Sequence, residues 1–98
     1  MTKIALITGA NRGLGRQTAL DIAHQGGDVI VTCRGNIEQA EAVVADIHAL
    51  GRKAIALPLD MAQTASFPAF ADSLRAALGS VWGRDTFDHL INNAGHGE

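Results

Sequence analysis

Four short apolar runs alternate along the chain with three segments in which apolar residues recur at helical spacing. The runs are rich in β-branched residues and leucine and are too short for core helices, so we interpret them as buried strands. They cover Lys3–Thr8, Asp28–Arg34, Lys53–Leu57 and Asp88–Asn92. Strands that alternate with helices over short loops predict an α/β fold with a parallel sheet.

The segments between the strands carry the start and stop signals of helices. The first helix is predicted over Gly13–Gln25, the second between a capping Asn36 and Gly51, and the third from a capping Ser66 to a loop at Gly79–Asp85. Trp82 is expected to pack under the third helix, and Asp88 to be solvated. Right-handed crossovers predict the strand order 3-2-1-4, with the first two helices on one face and the third on the other. Pro58 cannot donate a ladder hydrogen bond, so the third strand should end there or lie at an edge.

Composition excludes several classes of protein. The 98 residues are 47% hydrophobic and 18% charged, which is typical of one folded unit and not of a disordered chain or a coiled coil. The longest apolar runs are far shorter than the ~18–20 residues of a membrane span. A net charge of −2 argues against nucleic acid as a partner. The single cysteine, Cys33, and the lack of a signal-peptide pattern predict a reducing, cytoplasmic location.

The segment between the first strand and the first helix, Thr8–Gly15, has a glycine pattern suited to a phosphate ligand. Gly9 permits a tight exit from the strand, Gly13 removes a side chain where a pyrophosphate approaches the backbone, and Gly15 permits close packing of helix on strand. Free N–H groups and the dipole at a helix start favour an anion. The segment predicts a dinucleotide-binding turn, and a glycine-rich turn without a ligand is the alternative.

Three motifs in register resemble the short-chain dehydrogenase/reductase family. The segment Thr8–Gly15 has the family's T-G-x-x-x-G-x-G spacing, Asn92–Gly95 is similar to its N-N-A-G motif, and Asp60 is similar to its acidic residue beside the adenine. The resemblance covers the whole chain and implies a partial Rossmann-type doubly wound parallel sheet. Because family members are usually much longer, residues 1–98 are expected to be the N-terminal half of one dinucleotide-binding domain, with the catalytic half absent.

The glycine turn and the resemblance together define a candidate set of cofactor contacts. Its members are Gly9, Asn11, Arg12, Gly13, Leu14, Gly15, Arg34, Asp60, Met61, Asn93, Ala94 and Gly95. Asp60 can accept a hydrogen bond from the adenine amino group with Met61 against the ring, or it can simply cap the following loop. Asn93 is expected to hold the end of the fourth strand and to touch the ribose. The four histidines are scattered, so no metal site is expected.

The tip of the second strand distinguishes the two nicotinamide dinucleotides. NAD binders usually carry an acid there, whereas an arginine suits the 2′-phosphate of NADP. This chain has Arg34 at the tip and no acid before Glu38, and Arg12 can reach the same phosphate. The resemblance agrees, since basic residues at these positions are similar to those of NADPH-dependent carbonyl reductases. NADP(H) is predicted; NAD(H) is the alternative if Arg34 is only a solvated charge.

No residue of the chain is assigned a catalytic role. The resemblance implies proton transfer by a serine, a tyrosine and a lysine in a Y-x-x-x-K helix beyond the N-N-A-G segment. The chain has no tyrosine, and its two lysines stand at strand starts. We therefore expect the isolated chain to be inactive, and the complete protein to be a homo-oligomeric oxidoreductase acting on a small carbonyl or alcohol substrate. A non-catalytic nucleotide-binding half-domain and a ligand-free relic that pairs with another chain are the alternatives.

Overall fold

A computed structural model describes residues 3–9, 13–33, 37–59, 67–84 and 86–92. The strands and helices alternate as the sequence predicts, with bounds that differ from the predicted ones by one residue at several ends. In chain order they are β1 (Ile4–Thr8), α1 (Gly13–His24), β2 (Asp28–Cys33), α2 (Ile37–Ala49), β3 (Ala54–Pro58), α3 (Phe67–Trp82) and β4 (His89–Asn92).

The four strands form one parallel sheet in the order β3-β2-β1-β4, which confirms the predicted Rossmann-like topology. β1 pairs with β2 on one side and with β4 on the other, so that Leu6 lies between Ile30 and Leu90. The chain therefore moves outward from β1 to β3 and then crosses back to place β4 on the opposite side of β1. β3 is an edge strand, as Pro58 predicts.

The helices cover the two faces of the sheet as expected. β1 and β2 are buried along their whole lengths, because both of their faces are covered. One face packs against α1 and α2, and the other against α3. The first core contains Ala5, Ile7, Ala19, Ala23, Val29, Val31, Cys33, Ala40, Val43, Ile47 and Ala54. The second contains Ile4, Leu6, Ile30 and Leu78, with Phe70, Leu74 and Trp82 partly buried against it.

Glycines end α1 and α2 in the predicted way. Gly26 has a φ of 91° and Gly51 a φ of 82°. After α1, the N–H of Gly27 donates to the carbonyl of Ile22 and that of Gly26 to the carbonyl of Ala23. This is the Schellman pattern, in which a left-handed residue lets the chain satisfy the last helical carbonyls.

The third helix is longer than the sequence predicts. α3 continues through Gly79 to Trp82, so the expectation of a loop from Gly79 is wrong for these four residues. The positive φ that ends the helix belongs to Gly83, at 68°. The proposed caps Asn36 and Ser66 lie outside the described residues. Among the helices that the structure describes, none is long and apolar enough to cross a membrane.

Candidate nucleotide-binding site

The order of the strands points to a position between the carboxyl ends of β1 and β4 as a ligand site. Thr8, at the carboxyl end of β1, pairs with Asn92, at the carboxyl end of β4. The order in which strands are added to the sheet reverses at β1, because β2 and β3 lie on one side of it and β4 on the other, with α1 and α2 on one face of the sheet and α3 on the opposite face. Open parallel sheets bind ligands in the crevice that such a reversal leaves at the carboxyl ends of the strands.

The turn that leaves β1 at this position begins with a glycine in a left-handed conformation, and a hydrogen bond ties it to the neighbouring strand. Gly9 has a φ of 66°, in the left-handed region where a Cβ would be strained. Its N–H donates to Oγ1 of Thr32 on the neighbouring strand, at 3.3 Å. Thr8 and Thr32 are both buried. The first glycine of the predicted motif therefore adopts the conformation that its residue type permits.

The start of α1 presents donor groups and no negative side chain. The helix begins at Gly13, and its first turn contains no acidic residue. Gly15 is buried, whereas Leu14 is 76% exposed. Arg16 forms an ion pair with Asp46 of α2 at 2.8 Å, so its charge is already partnered. A helix start with its positive dipole end and no carboxylate in the first turn fits an anionic group such as a pyrophosphate.

The remaining eight predicted contacts lie outside the described residues. They are Asn11, Arg12, Arg34, Asp60, Met61, Asn93, Ala94 and Gly95. The strand ends that precede them are described, and they lie side by side along one edge of the sheet. The N–H of Leu59, just after β3, donates to the carbonyl of Cys33 at the end of β2, at 2.9 Å. Arg34 directly follows Cys33 in the sequence and Asp60 directly follows Leu59, so both come immediately after a residue of this hydrogen-bonded pair.

Cys33 is a packing residue at this edge. Its side chain is 1% exposed, in the core under α1 and α2. Burial, and then the negative charge of Glu41, raise the pKa of the thiol. The side chain is therefore a protonated, buried spacer. No group of residues suited to a metal ion is found in the part of the chain that the structure describes.

The opposite edge of the sheet holds polar contacts that sequence reasoning missed. Asp88 is not merely solvated, because it accepts hydrogen bonds from the backbone N–H of Ile4, at 2.8 Å, and from Arg84, at 3.2 Å. These contacts, that of Arg84 first, lower the pKa of Asp88. Trp82 is the last residue of α3, and its indole N–H donates to Asp28 at 2.7 Å. The bond from Ile4 to Asp88 spans 84 residues and that from Trp82 to Asp28 spans 54, so no local pattern signals them.

Comparison with known proteins identifies the family. Residues 3–98 match the family model described as short chain dehydrogenase. The chain belongs to the short-chain dehydrogenase family. The match includes the turn at Gly9, the start of α1 at Gly13 and the whole parallel sheet. It confirms the resemblance that the three sequence motifs predict.

Individual members of the family are similar over nearly the whole chain. A 3-oxoacyl-(acyl-carrier-protein) reductase, FabG of Staphylococcus aureus, is 41% identical over 95 residues, which cover 97% of this chain and 36% of the relative. The crystal structure of an acetoin dehydrogenase from Enterobacter cloacae has a TM-score of 0.80 and 35% identity, covering 97% of this chain and 35% of that one. A hydroxysteroid dehydrogenase from Escherichia coli has a TM-score of 0.80 and 36% identity, covering 98% and 38%.

The chain thus spans about a third of the length of the short-chain dehydrogenases that it matches. The names of these relatives describe reductases and dehydrogenases that act on different compounds. The comparisons therefore establish the oxidoreductase family of this segment and do not select a substrate.

Proposed function

We propose that residues 1–98 form the NADP(H)-binding part of a short-chain oxidoreductase that transfers a hydride between nicotinamide and a small carbonyl or alcohol substrate. The observation that carries the proposal is the turn at the strand-order reversal. There Gly9, with a φ of 66°, connects buried β1 to a helix whose first turn lacks acidic residues. Membership of the short-chain dehydrogenase family supports the same function.

In this proposal the pyrophosphate lies against the start of α1. Gly13 leaves the backbone accessible, and the N–H groups of the first turn, which have no partner within a helix, donate to the phosphate oxygens. Buried Gly15 keeps the helix close to the sheet. The bound dinucleotide supplies the hydride. Asp60, Met61 and the Asn93–Gly95 segment are proposed to contact the adenosine, since they follow the ends of β3 and β4.

The preference for NADP(H) rests on charge at the end of β2. The strand ends at Cys33, so Arg34 is the next residue. The first acid beyond it, Glu38, lies in the first turn of α2. A guanidinium provides paired donors for a phosphate, whereas the carboxylate that usually accepts from the ribose hydroxyl in NAD binders is missing from this segment. Arg12, in the turn before α1, is proposed as a second contact to the same phosphate.

The same proposal makes the chain the N-terminal part of a single domain. β4 is an edge strand, and Leu90, which pairs with Leu6, is 62% exposed on the face that α3 covers elsewhere. Further secondary structure packed beside β4 would bury this side chain. The sequence has no tyrosine, so we propose that the proton donor belongs to the other half and that these 98 residues alone do not reduce a carbonyl. The complete protein is proposed to be cytoplasmic and homo-oligomeric.

Binding of both dinucleotides to an arginine variant tests the proposal. Arg34→Ala removes charge-assisted hydrogen bonds, which contribute about 1.5–3 kcal/mol, so NADPH affinity should fall roughly 10- to 150-fold. NADH lacks the 2′-phosphate, and its affinity should change less than about threefold. The two dissociation constants are measured by calorimetry at one fixed salt concentration, because charge contacts are screened.

The matched control is Arg75→Ala, which removes the same charge from α3, where Arg75 is 68% exposed. It should leave both dissociation constants unchanged. Equal losses of NADPH and NADH affinity in Arg34→Ala would refute the proposed 2′-phosphate contact. Failure of the unsubstituted protein to bind either dinucleotide would refute the proposed function as a whole.

A further inference from the structure

A buried threonine on β2 contacts the turn of the candidate nucleotide-binding site from the neighbouring strand. Thr32 is 1% exposed, and its Oγ1 accepts the backbone N–H of Gly9 at 3.3 Å. Its position in the sheet is central, because β2 lies between β1 and β3 and Thr32 pairs with Leu57. Thr32 lies 23 residues after Gly9 in the sequence, outside the glycine pattern, so the motifs do not include it.

The face of the sheet on which Thr32 lies follows from the alternation of side chains along β2. Successive side chains of a strand point to opposite faces. Val31 and Cys33 belong to the core under α1 and α2, and Ile30 belongs to the core under α3. Thr32 therefore lies on the α3 face, near the carboxyl end of β2. The hydrogen bond to Gly9 shows that its hydroxyl reaches the chain where it leaves β1.

The hydroxyl meets a need of the backbone at this point. β1 is paired with β2 over Ile4–Ile7, in register with Asp28–Val31. Gly9 lies two residues beyond that register and is half-buried. A backbone N–H withdrawn from water needs an acceptor, and the lack of one disfavours the conformation that buries it. Oγ1 of Thr32 is such an acceptor while Gly9 has its left-handed φ of 66°.

We propose that Thr32 is a positioning residue for dinucleotide binding: its hydroxyl fixes the N–H of Gly9 and thereby the direction in which the chain leaves β1 towards the start of α1. This inference rests on the proposed function, in which the pyrophosphate lies at that helix start. An enclosed β-branched side chain has little freedom at χ1, so Thr32 is a fixed point. α1 is held separately, through Ala19 and Ala23 in the core. Loss of the hydroxyl should therefore loosen the turn and leave the helix in place.

Two variants separate the oxygen of Thr32 from its shape. Thr32→Val keeps the branched shape and removes the acceptor, whereas Thr32→Ser keeps the acceptor and removes the methyl group. We expect Thr32→Val to weaken NADPH and NADH binding by the same factor, about three- to tenfold, because both dinucleotides contain the pyrophosphate. Thr32→Ser should bind both within about twofold of the unsubstituted protein, since the hydrogen bond is kept.

Calorimetric titration with each dinucleotide measures these affinities, at a temperature where circular dichroism shows that every variant is folded. Thr86→Val makes the same substitution at an exposed residue between α3 and β4, and it should leave both affinities unchanged. Hydrogen exchange of the Gly9 amide in ¹⁵N-labelled protein without cofactor is an independent readout. Exchange should be at least about threefold faster in Thr32→Val than in the unsubstituted protein or in Thr32→Ser.

The contrary results distinguish this inference from the proposed function. Unchanged affinity for both dinucleotides in Thr32→Val would overturn the inference and leave the proposed function intact. A loss confined to NADPH would also overturn it, because Thr32 would then act at the 2′-phosphate and not through the turn. Equal losses in Thr32→Val and Thr32→Ser would assign the effect to packing and not to the hydroxyl. Failure of the unsubstituted protein to bind either dinucleotide would overturn both proposals.

Thr32→Ala keeps the inference testable if Thr32→Val does not fold. It is compared with Thr32→Ser, because alanine and serine differ only in the hydroxyl oxygen. Thr32→Ala should bind both dinucleotides about three- to tenfold more weakly than Thr32→Ser. Equal affinities in these two variants would overturn the role assigned to the hydroxyl.

Discussion

Replacing Gly9 with alanine tests whether the conformation of the turn after β1 is needed for nucleotide binding. Gly9 has a φ of 66°, and its N–H donates to Thr32. An alanine at this φ either remains strained or relaxes towards a negative φ. Relaxation would turn the N–H away from Thr32 and redirect the chain before α1 begins at Gly13.

The cost to stability follows from the backbone. A left-handed conformation costs a residue with a Cβ roughly 1–2 kcal/mol. Alanine recovers about 0.4–1 kcal/mol, because it restricts the unfolded chain more than glycine does. The free energy of unfolding should therefore fall by about 1 kcal/mol, which corresponds to a decrease in melting temperature of roughly 4–8 °C for a domain of this size.

The cost to binding should be larger than the cost to stability. If the start of α1 holds the pyrophosphate, displacement of the turn weakens at least one hydrogen bond to a charged group, which contributes about 1.5–3 kcal/mol. NADPH and NADH affinities should both fall about tenfold or more, since both cofactors contain the pyrophosphate. Urea unfolding measures the first quantity, and calorimetric titration with each dinucleotide measures the second.

Gly51→Ala is the matched control. Gly51 also has a left-handed φ, at 82°, and a Cβ at this position would meet nothing within 4 Å. It ends α2, away from the carboxyl edge of the sheet, so its substitution should cost a similar free energy of unfolding and leave both affinities unchanged. If Gly9→Ala and Gly51→Ala lost affinity equally, or if neither did, the turn after β1 would not be the binding element.

Three further predictions concern the core and the titratable groups. Leu78 is 1% exposed, so Leu78→Ala should lower the free energy of unfolding by about 3 kcal/mol. Leu90 lies on the same face of the sheet but is 62% exposed, so Leu90→Ala should lower it by about 1 kcal/mol or less. Urea unfolding measures both. Asp88→Asn should weaken the dependence of the free energy of unfolding on pH in the acid range. Contacts led by that with Arg84 lower the pKa of Asp88 in the folded protein. The stability that ionised Asp88 contributes is therefore present above the pKa of the unfolded state and is lost as the pH falls through the pKa of the folded state. Iodoacetamide should label Cys33 slowly at pH 7 and rapidly in urea, because burial raises the pKa of its thiol.

Each of these predictions has a clear contrary result. Equal destabilisation by the two leucine substitutions would mean that Leu78 of α3 is packed against the sheet no more closely than Leu90 of β4 is packed against its neighbours. Parallel curves of unfolding free energy against pH for Asp88→Asn and the unsubstituted protein would remove the contribution assigned to the Asp88 contacts. Native labelling of Cys33 at the rate measured in urea would contradict its burial.

Local sequence was sufficient for the order of elements and for part of the site. β1 and β2 were recognisable because a strand covered on both faces is apolar at every position, which gives an uninterrupted run. The ends of α1 and α2 were predictable because Gly26 and Gly51 are residues that adopt positive φ without strain. The same reasoning applies to Gly9. In each case the signal is the residue type itself or the pattern of its neighbours within a few positions of the sequence.

Contacts between distant segments were decided only by the tertiary structure. A glycine inside a helix costs about 1 kcal/mol relative to alanine, so Gly79 favours a loop locally, yet α3 continues through it to Trp82. The helix persists because Trp82 packs on the sheet and donates to Asp28, 54 residues away in sequence. The bond from Ile4 to Asp88 spans 84 residues. Local periodicity and capping signals carry no information about pairs at such separations, because only the crossing of the chain over the sheet brings them together.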